Sequence, residues 1–118
     1  MKRIAFSLLA ASAAVFAVPV MAQEQIGTIE RGTYSCELPG DAAGAVGVAQ
    51  PQESFTITSA SRYSSPQGEG TYLRRGDIVT MTSGPRNGTR YAIEGRGFLR
   101  KIENGVPGRL RCVRRPGQ

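Results

Sequence analysis

Residues that could carry out acid–base or nucleophilic chemistry are scarce in this 118-residue chain. It contains no histidine, which is the commonest general base, the usual activator of a serine or cysteine nucleophile, and a frequent zinc ligand. Glu69 and Asp77 offer a carboxylate pair of the kind that glycosidases use, but their spacing fits two acids beside turns equally well. We therefore expect a protein that is not an enzyme and that uses no cofactor or metal ion.

The abundant functional group is instead the guanidinium of arginine. Residues 23–61 hold one base against five acids, a net charge of −4, whereas residues 62–118 hold twelve bases against four acids, a net charge of +8. Arginine forms paired hydrogen bonds with carboxylates and phosphates, so the second half predicts a basic face for an anionic envelope surface or an acidic protein. A soluble surface that is basic without any such partner is the alternative. The candidate binding residues are Arg74, Arg75, Arg111 and Arg115.

The first 22 residues have the layout of a secretory signal peptide. A basic start, Met1–Arg3, leads into the apolar run Ile4–Val18, and short side chains occupy the −3 and −1 positions before Gln23. A membrane anchor is the alternative, but a span needs about 20 apolar residues, and this run is shorter and ends at Pro19. We expect removal of residues 1–22 and a periplasmic or secreted protein with no transmembrane span. Export also argues against nucleic acid as the partner.

The remaining residues, 23–118, have the length of a single domain. Cys36 and Cys112 lie near its two ends, and a lone pair of cysteines in an exported protein predicts one disulfide bond. A redox-active pair is the alternative, but it favours a Cys-x-x-Cys spacing, which this chain lacks. The bond would tie the first and last strands of the domain together.

Glycine, proline and asparagine divide the domain into short runs of alternating side-chain character, as in antiparallel strands. In the clearest run, Glu53–Ser59, Phe55 and Ile57 share one face. The pattern predicts an all-β domain, a small antiparallel barrel or sandwich of seven to eight short strands, with a long loop over 38–52. In a barrel, the two strands that carry the cysteines would be neighbours. The predicted strands cover 32–37, 53–59, 62–64, 71–74, 78–82, 89–94, 98–103 and 109–114.

The same alternation assigns the core and the orientation of the last strand. If Cys112 points inward, Arg111 and Arg115 fall on the opposite face and point outward. The predicted core side chains are Tyr34, Phe55, Ile57, Tyr72, Val79, Met81, Tyr91, Ile93, Phe98, Ile102, Leu110 and Val113.

Several short stretches match a known group of proteins. They are Gly-Thr-Tyr-Ser-Cys-Glu at 32–37, Gly-Thr-Tyr-Leu at 70–73, Thr-Ser-Gly-Pro at 82–85, Gly-Phe-Leu-Arg-Lys at 97–101 and Leu-Arg-Cys-Val at 110–113. With these stretches the chain resembles a family of small uncharacterised exported β proteins of Gram-negative bacteria, some of which are labelled elongation factor P. The resemblance implies export and carries no activity with it.

A second set of residues supports a looser likeness. Tyr34-Ser35-Cys36, the late Cys112, and Ser83-Gly84-Pro85-Arg86 followed by Tyr91 are similar to features of periplasmic C-type lysozyme inhibitors. This likeness implies a β-barrel that inhibits a secreted hydrolase such as lysozyme, with Ser83, Arg86 and Tyr91 as the contact residues. Inhibition is therefore the alternative to the anionic-partner role.

Overall fold

The computed structural model describes residues 26–40 and 47–116. The predicted signal peptide and the centre of the predicted 38–52 loop lie outside these described residues. Within them the chain forms ten strands and a 3₁₀ turn at Pro51–Glu53, and no α-helix. The strands are β1 (Ile26–Gly27), β2 (Gly32–Pro39), β3 (Gly47–Ala49), β4 (Phe55–Ile57), β5 (Arg62–Ser65), β6 (Gly68–Arg75), β7 (Ile78–Met81), β8 (Arg90–Gly95), β9 (Phe98–Glu103) and β10 (Val106–Arg115).

Eight of these strands form a closed antiparallel barrel. Its order is β2, β4, β5, β6, β7, β8, β9 and β10, and β10 pairs back with β2. Each barrel strand therefore lies beside the next barrel strand along the chain, as in an up-and-down barrel, which leaves the ring without a free edge. The two extra strands pair outside the ring, β1 with β6 and β3 with β2. The all-β prediction is confirmed, and the architecture is a barrel rather than a sandwich.

The interior of the barrel is filled by side chains from alternate positions of every barrel strand. Eight of the predicted core residues are buried there: Tyr34, Phe55, Ile57, Tyr72, Val79, Met81, Tyr91 and Leu110. Tyr63, Leu99 and both cysteines are also buried, although the core prediction did not include them. The Phe55 ring lies 5.2 Å from the rings of Tyr34 and Tyr91, so aromatic contacts join β2, β4 and β8.

The interior tyrosines keep their hydroxyl groups hydrogen-bonded. The Tyr34 hydroxyl donates to the Glu30 carbonyl at 2.8 Å, and the Tyr72 hydroxyl accepts the Ile29 backbone N–H at 3.3 Å. Burial raises the pKa of Tyr34 to about 12, and the nearby Glu30 carboxylate acts in the same direction. These two bonds anchor the segment before β2 against one end of the barrel.

The predicted orientation of β9 was wrong. Leu99 lies opposite Cys112 and opposite Ile93, so it points inward, whereas Phe98 lies opposite Val113 on the outer surface. Phe98, Ile102 and Val113, all predicted as core, are only partly buried on that outer side. This phase follows from the pairing of Leu99 with Cys112 on one side and with Ile93 on the other, and nothing in the pattern of β9 alone reveals it.

The predicted loop over 38–52 is shorter than expected. β2 continues to Pro39, and β3 pairs with it, placing Val48 opposite Leu38. The 3₁₀ turn at Pro51–Glu53 then leads into β4, which pairs with the other end of β2. Residues 41–46 of this loop lie outside the described residues. The second half of the segment therefore runs along β2 and brings the carbonyl groups of residues 52–54 to the end of the barrel.

The predicted disulfide bond joins Cys36 of β2 to Cys112 of β10. The two residues are direct cross-strand partners, with Cα atoms 4.0 Å apart and both side chains buried. Because their sequence separation is 76, the bond closes most of the described chain into one loop. Chain entropy assigns such a loop about 4 kcal/mol of stabilisation.

Replacement of both cysteines by alanine tests this contribution. We expect Cys36→Ala with Cys112→Ala to lower the free energy of unfolding by about 4 kcal/mol, because the unfolded chain regains the entropy that the cross-link removes. Urea denaturation measures the difference, and wild-type protein kept reduced serves as a second comparison. Equal stability of the wild-type and alanine proteins would contradict the prediction.

Candidate functional site

The charged group with the most internal partners is the guanidinium of Arg86. The residue is only 8% exposed. Its Nη1 donates to the Glu53 carbonyl at 2.7 Å, and its Nη2 donates to the carbonyls of Gln52 at 2.8 Å and Ser54 at 2.9 Å. A fourth acceptor is the Oε1 atom of Gln67 at 3.2 Å. One side chain thus satisfies three successive carbonyl groups that the 3₁₀ turn would otherwise leave without strand partners.

The turn that carries Arg86 is itself held in place. Gly84 has a φ of +82°, which a residue with a side chain rarely adopts, and it brings the chain against the Tyr63 hydroxyl. That hydroxyl donates to the Ser83 carbonyl at 2.8 Å and accepts the Arg86 backbone N–H at 3.1 Å. The guanidinium lies 5.5 Å from the centre of the Phe55 ring, a cation–π distance. Arg86 therefore closes one end of the barrel from inside.

Ser83, Arg86 and Tyr91, the contact residues implied by the inhibitor likeness, all point toward the protein. Tyr91 is fully buried, and its hydroxyl lies 3.4 Å from Nη1 of Arg86. Burial raises the pKa of Tyr91, and the Arg86 charge opposes that rise. The Ser83 hydroxyl accepts the Thr71 backbone N–H at 3.0 Å. The structure brings the three residues into one region, with internal partners for each, and their inhibitory role stays a prediction.

The four predicted binding arginines do not form one cluster. Arg74 lies on the inward face of β6 at the other end of the barrel, donating to the carbonyls of Thr28 at 2.8 Å and Gly76 at 2.9 Å. Arg75 points outward but lies four strand spacings from Arg111, about 19 Å along the surface. Arg111 and Arg115 share the outward face of β10, as predicted from the position of Cys112.

A different set of arginines lies on one outward surface of three neighbouring strands. We call the outward side of β8, β9 and β10 the outer basic face; its members are Arg90, Arg100, Arg111 and Arg115, with Phe98, Ile102 and Val113 between them. Arg100 lies directly opposite Arg111, and Phe98 lies directly opposite Val113. The binding residues predicted from the sequence did not include Arg100. With Phe98 placed inward, alternation along β9 puts Arg100 inward as well, whereas in the structure both side chains point outward.

Charge compensation on this face is incomplete. Glu37 on β2 pairs with Arg111, with Oε1 and Nε 2.8 Å apart. No described residue forms an ion pair with Arg100, Arg90 or Arg115, whereas Arg96 and Arg114 share Glu30 and Lys101 pairs with Glu53. Two like charges directly opposite on neighbouring strands destabilise a sheet. Glu37 offsets the charge of Arg111 in this row of side chains, whereas the charge of Arg100 has no such partner among the described residues.

A cavity of about 490 Å³ opens at the barrel end opposite Arg86. Its apolar wall includes Ile29, Tyr34, Ile93 and Leu99, and its rim carries Arg74, Asp77, Glu30 and Arg96. The hydrogen bond from Arg96 holds the pKa of Glu30 below its ordinary value.

Among the residues that the structure describes, no three His, Cys, Asp or Glu side chains approach closely enough to hold a metal ion.

No family model, curated protein or solved structure matches this chain. The resemblances to exported β proteins and to C-type lysozyme inhibitors therefore stay predictions. In residues 26–40 and 47–116, no helix is long and apolar enough to cross a membrane.

The role of Arg86 as an internal closure can be measured. We expect Arg86→Met to lower the free energy of unfolding by about 3 kcal/mol, because the carbonyls of residues 52–54 lose their donors while methionine retains most of the side-chain volume. Arg90→Met is the matched control, since Arg90 is exposed, and it should change stability by no more than about 0.5 kcal/mol. Similar losses in both variants, measured by urea denaturation, would refute the internal role.

Proposed function

We propose that this protein is an exported binding module, not an enzyme, that uses its outer basic face to contact an anionic envelope surface or an acidic protein. The observation that carries the proposal is the placement of Arg100 directly opposite Arg111, with one carboxylate, Glu37, near the pair. Within the folded chain Arg111 gains an ion pair with Glu37, whereas Arg100 faces a like charge and gains no ion pair with any described residue. An anionic partner turns the same arrangement into a favourable contact.

The chemistry of the outer basic face suits such a partner. Guanidinium groups form bidentate hydrogen bonds with phosphate and carboxylate groups, and they do so with less loss of hydration than ammonium groups. Phe98 and Val113 lie beside the arginines and add apolar contact area where the partner excludes water. The acids on these three strands lie at their ends, Glu94 on β8 and Glu103 on β9, so the centre of the face is positive.

Two features support export to the periplasm or beyond. The chain begins with the predicted signal peptide, and its cysteines form a buried disulfide bond. Disulfide bonds persist in oxidising compartments and are rare in the cytosol. The absence of histidine supports binding rather than catalysis, because the commonest acid–base group is missing from the entire chain.

Neutralisation of single arginines tests the face. We expect Arg100→Gln to weaken retention of the protein on a heparin column and to reduce the slope of log affinity against log salt by roughly one, the change for one lost anion contact. Arg62→Gln is the matched control, because Arg62 is exposed on β5, on the opposite side of the barrel, and its loss changes net charge equally.

Comparing the two variants distinguishes binding through the outer basic face from binding through net charge alone. If Arg62→Gln is retained as strongly as the wild type and Arg100→Gln elutes earlier, the proposal is supported. Equal shifts in the two variants would show that net charge alone governs retention, and the outer basic face would then have no special role.

Export has its own test. When the full chain is expressed in a Gram-negative host, we expect the periplasmic protein to begin at Gln23, because short side chains at Val20 and Ala22 mark the cleavage site. Its intact mass should match residues 23–118 less two hydrogen atoms for the disulfide bond. Ala22→Arg should block processing. A periplasmic protein that still begins at Met1, or one with free thiols, would contradict this prediction.

A further inference from the structure

The barrel end that holds the cavity of about 490 Å³ is only partly covered by the chain. Residues 28–31 cross this end from β6, where β1 pairs, to the start of β2. The hydroxyl of Tyr72 accepts the Ile29 N–H at 3.3 Å, and the hydroxyl of Tyr34 donates to the Glu30 carbonyl at 2.8 Å, so the crossing segment is held from inside. The cavity lies between this segment and the β6–β7 and β8–β9 turns.

Apolar side chains form the base and two sides of the cavity. Tyr34 and Leu99 are buried at its base, and the Tyr34 hydroxyl is already hydrogen-bonded to the crossing segment. Ile29 on the crossing segment and Ile93 on β8 pack against the same core but are only partly buried, and both line the cavity. An apolar molecule that covers these two side chains is stabilised by the surface it removes from water.

Charged groups of both signs border the cavity and select against an ionic occupant. The rim carries three carboxylates, Glu30, Asp77 and Glu94, and two guanidiniums, Arg74 and Arg96. A third guanidinium, that of Arg114, reaches Glu30 from β10 at 3.6 Å. An anion entering the cavity meets carboxylates and a cation meets guanidiniums, so either ion faces like charge on the rim. An uncharged molecule meets neither repulsion.

We propose that this cavity binds one small, uncharged and mainly apolar molecule. Its volume of about 490 Å³ lies within the range of small-molecule sites, about 300–1,000 Å³. Barrels of eight strands are wide enough to hold one small ligand. The ion pair between Glu30 and Arg96 joins the crossing segment to the β8–β9 turn, so the two sides of the cavity are linked by a contact that solvent can reach. The cavity shares no residue with the outer basic face, and this inference goes beyond the proposed function.

A neutral fluorescent probe tests the site. We expect N-phenyl-1-naphthylamine, whose emission rises in apolar surroundings, to bind the purified protein saturably, with one molecule per chain and no dependence on salt. Ile29→Ser should weaken binding about tenfold, because the wall loses apolar area while the backbone N–H that bonds Tyr72 remains. Ile102→Ser is the matched control, since Ile102 is also partly buried but lies on the outer side of β9, and it should bind as the wild type does.

Amide chemical shifts locate the probe without any substitution. On titration of the wild-type protein with N-phenyl-1-naphthylamine, we expect the resonances of Ile29, Gly95 and Gly97 to move, because these residues line the cavity. The resonances of Arg100 and Arg111 should stay in place, because those residues lie on the outer basic face.

The outcomes separate this inference from the proposed function. The absence of saturable binding, or shifts confined to residues away from the cavity, would overturn the inference. Equal affinity of Ile29→Ser and the wild type, with thermal denaturation showing both folded, would overturn it as well. Probe binding at the cavity together with equal heparin retention of Arg100→Gln and Arg62→Gln would overturn the proposed function and leave this inference standing.

Discussion

The cross-strand bond between Cys36 and Cys112 is the constraint on which the rest of the barrel depends. It joins the first and last barrel strands, which are far apart in sequence and would otherwise bear a large entropic cost of closure. It also sets the register: with Cys112 inward, Leu99 opposite it must point inward, and Phe98 and Arg100 must point out. The outer basic face is thus a consequence of where the bond lies.

Arginine plays two opposite roles in this molecule, and burial decides between them. Arg86 has its guanidinium inside the barrel, where backbone carbonyls and an aromatic ring replace water. Arg100 keeps its charge at the surface, facing another arginine and no described ion-pair partner. A buried guanidinium whose Nη1 and Nη2 groups donate to internal acceptors stabilises the fold and cannot contact a partner, whereas a surface guanidinium that faces another arginine destabilises the fold slightly and can.

The apolar residues divide in the same way. Those within the ring, such as Tyr63 and Leu99, fill the barrel, while Leu38, Val48 and Val106 continue the strands past its closed end. A barrel of eight strands has an interior that side chains can fill completely, so strand residues beyond it lack neighbours to pack against.

The amino-acid sequence by itself determined the strand content, the disulfide bond and most of the core, because each follows from local alternation, turn residues and cysteine number. Phe55, Ile57, Val79 and Met81 were correctly placed for that reason. Closure into a barrel, the inward phase of β9 and the burial of Arg86 were decided by the tertiary structure. Each depends on contacts between distant segments: β10 with β2, Leu99 with Cys112, and Arg86 with the carbonyls of residues 52–54. Alternation divides a strand into two faces without saying which is inside, and only the neighbouring strands supply that answer.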